Sequence, residues 1–271
     1  MNKKKPLLIA FDMDGTLLNN KKKISLKTLF LLRKLTRQGH KIVLASGRPS
    51  RALRTYYKQL HLNTPMICYN GTYTFSPSDK SFKEKALVFP KETILEITNK
   101  IGKYILNLMC EDDTNIWCDK KDDYLNRFFW FNNMNVQYGD LNKILDRGVM
   151  TCIMHLPNDL TEKQKDEIKK VVSKYKGLCC RFWIGSPYFE LGFEEASKGS
   201  ALCYIADYYK IPRERVIAFG DAPNDLEMFD FAGTSVAMKN AKCEMKNATM
   251  VSVKDNNHDG IYYTLKKILN A

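Results

Sequence analysis

The sequence predicts an α/β fold, a parallel sheet wound by helices on both faces and interrupted by an inserted α+β segment. Three observations carry that reading. Apolar strand-like runs alternate with amphipathic helical runs in the first third of the 271 residues and again in the last third, the pattern of crossover-connected parallel strands. Asp12, Ser46, Asn70 and Asp221 each fall just beyond such an apolar run, so the topology would gather them along one sheet edge. From about residue 85 to 189 the alternation gives way to a different pattern, rich in aromatic residues.

The first strand is Leu7–Phe11. Ser25 stands where an N-cap belongs for the amphipathic run Leu26–Gln38, and Gly39 where a helix stops. A strand follows from Lys41 to Ala45, and Ser50 is placed to cap a second helix running to about Leu60. The strand Met66–Tyr69 leads into Asn70-Gly71 and a turn-rich, hairpin-like stretch around Ser76–Asp79. The last third reads as helix 198–210, strand 216–220, helix 224–231, strand 234–238 and a closing helix from about Gly260.

Within the insertion, helical segments are expected near Lys91–Ile105, Asp122–Asn132 and Thr161–Lys176, and strands at Leu106–Cys110, Asn115–Cys118, Val149–Leu156 and Cys179–Ile184. Thr161 and Gln164 have capping-box spacing. This reads as a unit with its own antiparallel sheet, joined to the core by two chain crossings. The division is therefore 1–84 with 190–271 for the core and 85–189 for the insertion. Trp117, Phe128, Phe129, Trp130, Phe131 and Trp183 are expected mainly to fill its core, with Arg127–Phe131 the stretch that could face a ligand.

The chemistry concentrates at the strand ends. Residues 11–16 read Phe-Asp-Met-Asp-Gly-Thr, and two carboxylates at i and i+2 of an extended chain point to one side. Alone, such a motif also reads as a turn. At a sheet edge it can divide labour, one acid attacking phosphorus and the other handling the leaving group's proton. An anionic nucleophile facing an anionic phosphate needs a divalent cation, and magnesium prefers hard oxygen ligands. Asp12, the Asp14 main-chain carbonyl and Asp221 would supply them. Ser46 and Lys198 would contact phosphoryl oxygens.

The motifs Asp12–Thr16, Ser46-Gly47-Arg48, Lys198-Gly199 and Gly220–Asp225, with Cys68–Gly71 and Asp259-Gly260, come in an order that resembles haloacid dehalogenase superfamily phosphatases, specifically the Cof-type hydrolases with a large C2-type cap. Met13 replaces a more usual Leu, and Gly192–Ser197 is an individual approach to the lysine. The resemblance implies a Rossmann-like core and a cap that selects substrate. It further implies a magnesium-dependent phosphatase of small phosphorylated metabolites, with Asp12 as nucleophile, Asp14 as acid–base group and Lys198 as charge stabiliser. Ser46, Gly47, Arg48, Asn70 and Asn224 would bind substrate, Asp12, Asp14 and Asp221 the metal, with Asp225 behind them. Asp14 must then be protonated in the first step, so its surroundings should disfavour its charge more than those of Asp12. A phosphomutase would share these aspartates, and a non-catalytic binder of phospholigands or nucleic acid could keep the fold.

Composition bounds the partners. The formal charge is +13, but the tight lysine runs, Lys3–Lys5 and Lys21–Lys23, come with no nucleic-acid motif and read as solvated faces, with some steering of anionic substrates. No apolar run nears the ~20 residues of a membrane span. None of the eight cysteines makes a C-x-x-C pair, so buried, reduced thiols in a cytoplasmic protein are expected. No nucleic-acid or membrane partner is expected, and the sequence leaves the oligomeric state open.

Overall fold

In the computed structural model, which describes residues 5–131, 134–183 and 185–270, the chain forms two units. One comprises the residues up to Lys85 and from Ser197 on, the other Ala86–Ala196. The first unit begins with β1 (Leu8–Asp12), α1 (Leu26–Arg37), β2 (Lys41–Ala45), α2 (Ser50–Leu60), β3 (Met66–Cys68), β4 (Tyr73–Phe75) and β5 (Lys85–Ala86). The second contains α3 (Lys91–Ile101), β6 (Asn107–Glu111), β7 (Asn115–Cys118), α4 (Asp123–Phe128), β8 (Asn135–Tyr138), α5 (Leu141–Ile144), β9 (Thr151–His155), α6 (Glu162–Val172), β10 (Leu178–Phe182) and β11 (Tyr188–Phe193). The chain returns through α7 (Lys198–Tyr209), β12 (Val216–Gly220), α8 (Leu226–Phe231), β13 (Thr234–Ala237), β14 (Met250–Val251) and α9 (Gly260–Asn270).

The core sheet runs β14-β13-β12-β1-β2-β3-β4-β5, parallel from β14 to β3 with β4 antiparallel to β3. Its central strands are apolar along their whole length because both faces are covered: Leu8, Ile9, Ala10 and Phe11 are all fully buried. α7 and α8 pack on Leu8, Ala10, Val43 and Ala45, while α1 packs against α2 and α9. This is the Rossmann-like α/β core the alternation predicts. Ser25 caps α1 by accepting from the Thr28 amide, and Gly39, at φ +92°, lies just past its end. Ser50 is not a cap: Pro49 takes that position in extended backbone, and Ser50 is the first helical residue. The reversal from β3 comes at Asn70-Gly71, pairing Cys68 with Tyr73, before the Ser76–Asp79 stretch is reached.

The inserted unit has its own six-stranded sheet, ordered β10-β11-β9-β6-β7-β8 and antiparallel except between β7 and β8. α3 and α6 pack over one face. The Thr161–Gln164 capping box forms as its spacing predicts. Two strands escape the sequence reading. β8 is an edge strand with three of four residues exposed. β11 carries the buried Glu190 and a glycine, which mask its strand character in the sequence; it pairs with β9 and β10 of the inserted unit, and the core resumes at Ser197 rather than near residue 190. The helices expected to reach Ile105 and Asn132 end at Ile101 and Phe128, and Asn132 and Ile184 lie outside the described residues.

Trp117, Phe129 and Phe131 are buried, the two phenylalanines in one apolar cluster with Leu125, Met109 and Ile153, so both fill the interior of this unit. The side chains of Arg127 and Phe128 lie outside the described ones. Four cysteines, Cys68, Cys110, Cys118 and Cys152, are buried, whereas Cys179, Cys180 and Cys203 are half-buried and Cys243 is exposed. No helix among the described residues is long and apolar enough to cross a membrane.

Candidate active site

β1 ends on Asp12, and the next residues leave the sheet through Gly15 at φ +81°. A β-carbon at residue 15 would meet the Asp221 carboxylate at 2.3 Å, so glycine serves both the turn and the approach of the β12 end to the β1 end. Asp221 follows β12 directly. Lys198 is the first residue of α7, whose capping box joins Ser197 and Ser200 and so fixes where the lysine starts.

The three elements meet at the Lys198 ammonium. Its Nζ donates to Asp12 Oδ1 and to Asp225 Oδ1, each at 2.6 Å, and both Lys198 and Asp225 are wholly buried. The second Asp225 oxygen accepts from the amides of Asp221 (3.0 Å) and Ala222 (3.1 Å). Thr16, buried and not singled out from the sequence, donates to Asp221 Oδ1 at 2.9 Å. Carboxylate oxygens of Asp12, Asp221 and Asp225 lie within 4.8 Å of one another.

The electrostatics follow from this crowding. Burial opposes the Lys198 charge, but Asp12 and Asp225 outweigh it and push its pKa up, so the ammonium keeps its proton. Burial pushes Asp12 well above the ordinary carboxylate value, and Asp225 and Asp221 add to the rise. Burial likewise carries Asp221 up to about 6. Three carboxylates share one ammonium, and the donors are all hard oxygens. A divalent cation fits such a set.

Asp14 lies in a different field. The Arg48 guanidinium forks onto it, Nε to Oδ2 at 2.6 Å and Nη2 to Oδ1 at 2.5 Å, and Lys22 Nζ donates to Oδ1 at 2.6 Å. Partial burial works against its charge, but Arg48 and Lys22 outweigh this and hold its carboxyl below the ordinary value. The expected order of the two acids is thus reversed: Asp14 is the ionised one and Asp12 the one burdened by burial. The Asp14 carboxylate is also not among the three clustered carboxylates. Arg48, expected at the substrate, spends its fork on Asp14. Lys22 was hidden in the Lys21–Lys23 run that reads as a solvated face; it sits in left-handed backbone, at φ 57°, in the turn that brings it to Asp14.

The remaining site residues form one rim. Ser46 is buried, its Oγ accepting from the Arg48 amide at 3.2 Å and its carbonyl from the Asn70 amide at 3.0 Å. Asn70, in left-handed backbone, accepts through Oδ1 from Asn224 Nδ2 at 3.0 Å. Gly47 lies beside the Asn70 amide group. Ser46, Gly47, Asn70 and Asn224 therefore line up across the ends of β2, β3 and β12.

Replacing Lys198 with methionine would leave two buried carboxylates without their counter-charge, which costs about 3–5 kcal/mol where a buried pair is broken. Asp12 must then bind a proton to stay inside. Its folded-state pKa rises further above the unfolded value, so stability falls as pH increases through that window. Urea unfolding should show a larger Lys198→Met penalty at about pH 8 than at about pH 5; a penalty independent of pH would contradict this electrostatic reading.

A family model described as haloacid dehalogenase-like hydrolase matches residues 9–265. The 5-amino-6-(5-phospho-D-ribitylamino)uracil phosphatase YitU of Bacillus subtilis is 33% identical over 265 residues, covering 97% of each chain. The pyridoxal phosphate phosphatase YbhA of Escherichia coli is 28% identical over 94% of this chain and 95% of its own. A haloacid dehalogenase-like hydrolase from Bacteroides thetaiotaomicron superposes with a TM-score of 0.81 at 26% identity, covering 97% of this chain and 100% of that one. TM0651 from Thermotoga maritima does so at 0.78 and 26%, covering 97% of each. With the acidic cluster at the strand ends and a family match spanning nearly its whole length, the chain belongs to the haloacid dehalogenase-like hydrolases and is an enzyme of the phosphatase type.

Proposed function

We propose that this protein is a magnesium-dependent phosphatase of the Cof-type branch that hydrolyses small phosphorylated metabolites through an aspartyl-phosphate on Asp12. The observation that carries the reading is the Lys198 ammonium held between Asp12 and Asp225 at the strand ends. It fixes one Asp12 oxygen and leaves the other to attack phosphorus in line. Lys198 also offers positive charge where the equatorial oxygens gain negative charge in the transition state. Ser46 and Asn70 would hold the phosphoryl group, with Asn224 orienting Asn70.

Asp12, Asp221 and the Asp14 main-chain carbonyl would hold magnesium, and Asp225, with both oxygens already engaged, would orient the others from behind. When bound, the metal would neutralise the nucleophile and the phosphate against each other. Asp14 protonates the leaving oxygen and then takes a proton from the water that cleaves the intermediate. To do so it must exchange its ion pairs with Arg48 and Lys22 for a proton when substrate arrives. Substrate choice is assigned to the inserted unit, which contains none of these groups.

YitU and YbhA point to two substrates to try first: the phosphorylated ribitylaminouracil and pyridoxal phosphate, beside simple sugar phosphates. Release of inorganic phosphate from one of them, rather than an isomerised phosphate ester, marks a hydrolase. Asp12→Asn should reduce that release below about a hundredth of the wild-type rate while preserving the melting curve, because an amide is a poor nucleophile of the same shape. A variant keeping more than about a tenth of the rate would remove Asp12 from the nucleophile's role.

The acidic cluster adds a pH test. In the metal-free protein Asp221 titrates at about 6, above its unfolded value, so the folded state loses stability as pH rises through that window. A magnesium ion held by Asp221 would compete with that proton. The rise in Tm on adding magnesium should therefore be larger at about pH 7.5 than at about pH 5. An equal or larger rise at the acid pH would speak against a metal at these carboxylates.

A further inference from the structure

The chain between Gly15 and Lys23 delivers Lys22 to Asp14 and carries no regular helix or strand. Within the loop the Asn19 side chain accepts from the amides of Lys21 and Lys23, both at 3.0 Å, and from α2 the Tyr56 hydroxyl donates to the Lys22 carbonyl at 2.9 Å. From outside, it is gripped by two asparagines that belong to distant parts of the chain. Asn240, just past β13, donates through Nδ2 to the Gly15 carbonyl at 2.8 Å. Asn256, just before α9, donates through Nδ2 to the Leu18 carbonyl at 2.9 Å and contacts Asn20 Oδ1 at 3.2 Å. The two clamps are joined, because the Asn256 amide donates to Asn240 Oδ1 at 3.1 Å. Asn257 adds a third point, its Oδ1 accepting from the Asn20 amide at 3.0 Å.

The Asp259-Gly260 pair explains why this stretch lies where it does. Asp259 Oδ2 sits 3.3 Å from Lys27 Nζ, tying the start of α9 to the start of α1. The Gly260 amide donates to the Asp255 carbonyl at 3.0 Å, and a β-carbon at 260 would meet the Lys254 carbonyl at 2.2 Å. Only glycine lets the turn fold back tightly enough to present Asn256 to Leu18. Asp14 is therefore bracketed: Gly15 is pinned on its C-terminal side by Asn240, and the loop that returns Lys22 to its carboxylate is pinned by Asn256.

We infer that Asn240 and Asn256 form a brace that sets the position of Asp14 for proton transfer, and that they are positioning residues acting through the Gly15–Lys23 loop. This rests on the reading of Asp14 as the acid–base group. Asn240 and Asn256 hold main-chain carbonyls and bond none of Asp12, Asp221, Asp225 and Lys198 in the bonds described. Loosening the brace should therefore spare Asp12 and Lys198 and act through Asp14, on leaving-group protonation by its side chain and on the magnesium its main-chain carbonyl would hold.

Leaving-group dependence separates these effects. An alkyl phosphate such as glycerol phosphate needs its leaving oxygen protonated, whereas p-nitrophenolate departs without help. In Asn240→Ala and Asn256→Ala, kcat/KM on the alkyl ester should fall about tenfold or more relative to p-nitrophenyl phosphate, within the range expected for misplacing a general acid. Both substrates are compared at saturating magnesium, so that any shift of the Asp14 main-chain carbonyl at the metal does not enter the ratio. Asn256→Asp keeps the shape and removes the donor to Leu18, so it carries the test if the alanine variant fails to fold. Asp14→Asn is the reference and should show the same selective loss more strongly. Parallel loss on both substrates, or none, in the brace variants while Asp14→Asn is selective would overturn the brace alone. An Asp14→Asn variant without leaving-group selectivity would overturn the acid–base reading and the brace with it.

Discussion

A single buried ammonium organises this site. Lys198 is wholly buried, and a charge taken out of water costs several kcal/mol unless well-placed partners compensate. Here the partners are Asp12, 186 positions earlier in the chain, and Asp225, 27 positions later. One contact thus closes the two halves of the core on each other across the inserted unit's span of sequence. Asp225 passes the constraint on: its other oxygen accepts the amides of Asp221 and Ala222, which sets the turn after β12 and with it the Asp221 side chain. The cluster remains short of positive charge by design of its composition, three carboxylates against one ammonium, and that shortfall is what suits it to a hard divalent cation.

Two aspartates separated by one residue end up in opposite fields. Asp12 is enclosed with other carboxylates, and burial raises its pKa; Asp14 is half-exposed, and Arg48 and Lys22 keep it ionised. Such a division is how neighbouring carboxylates acquire different tasks. Arg48 and Lys22 hold the proposed acid in its ionised form, so the proposed reaction needs these ion pairs around Asp14 to give way before a proton can be delivered. A dianionic phosphate entering beside Arg48 and Lys22 competes for the same donors, which gives a physical route to that exchange.

The fold was legible because its signals are local and redundant: apolar runs ending on polar residues, helix caps at Ser25 and Thr161, and the acid pair ahead of Gly15. The placement of Asp12, Ser46, Asn70 and Asp221 at one edge follows from parallel topology alone. What escaped reading is set by tertiary contacts. Arg48 looked like a substrate ligand because nothing in the sequence shows Asp14 within its reach, and Lys22 vanished among like-charged neighbours. Phe129 and Phe131 read as possible ligand-facing rings, yet β6 and β9 supply the apolar surface that buries them. β11 was cut by the expected domain boundary because Glu190 and Gly192 interrupt its apolar pattern; Glu190 is tolerated inside where Arg181 stands opposite it in the sheet.

The most direct measurement is to find the bond that Asp12 is proposed to form. A single turnover quenched in acid and treated with borohydride reduces an aspartyl-phosphate to homoserine, which peptide mass spectrometry locates. Homoserine in place of Asp12, formed only when substrate and magnesium are both present, is the expected result. Phosphate release with Asp12 unmodified, or homoserine in place of Asp14 or Asp221 instead, would contradict a nucleophile held by Lys198.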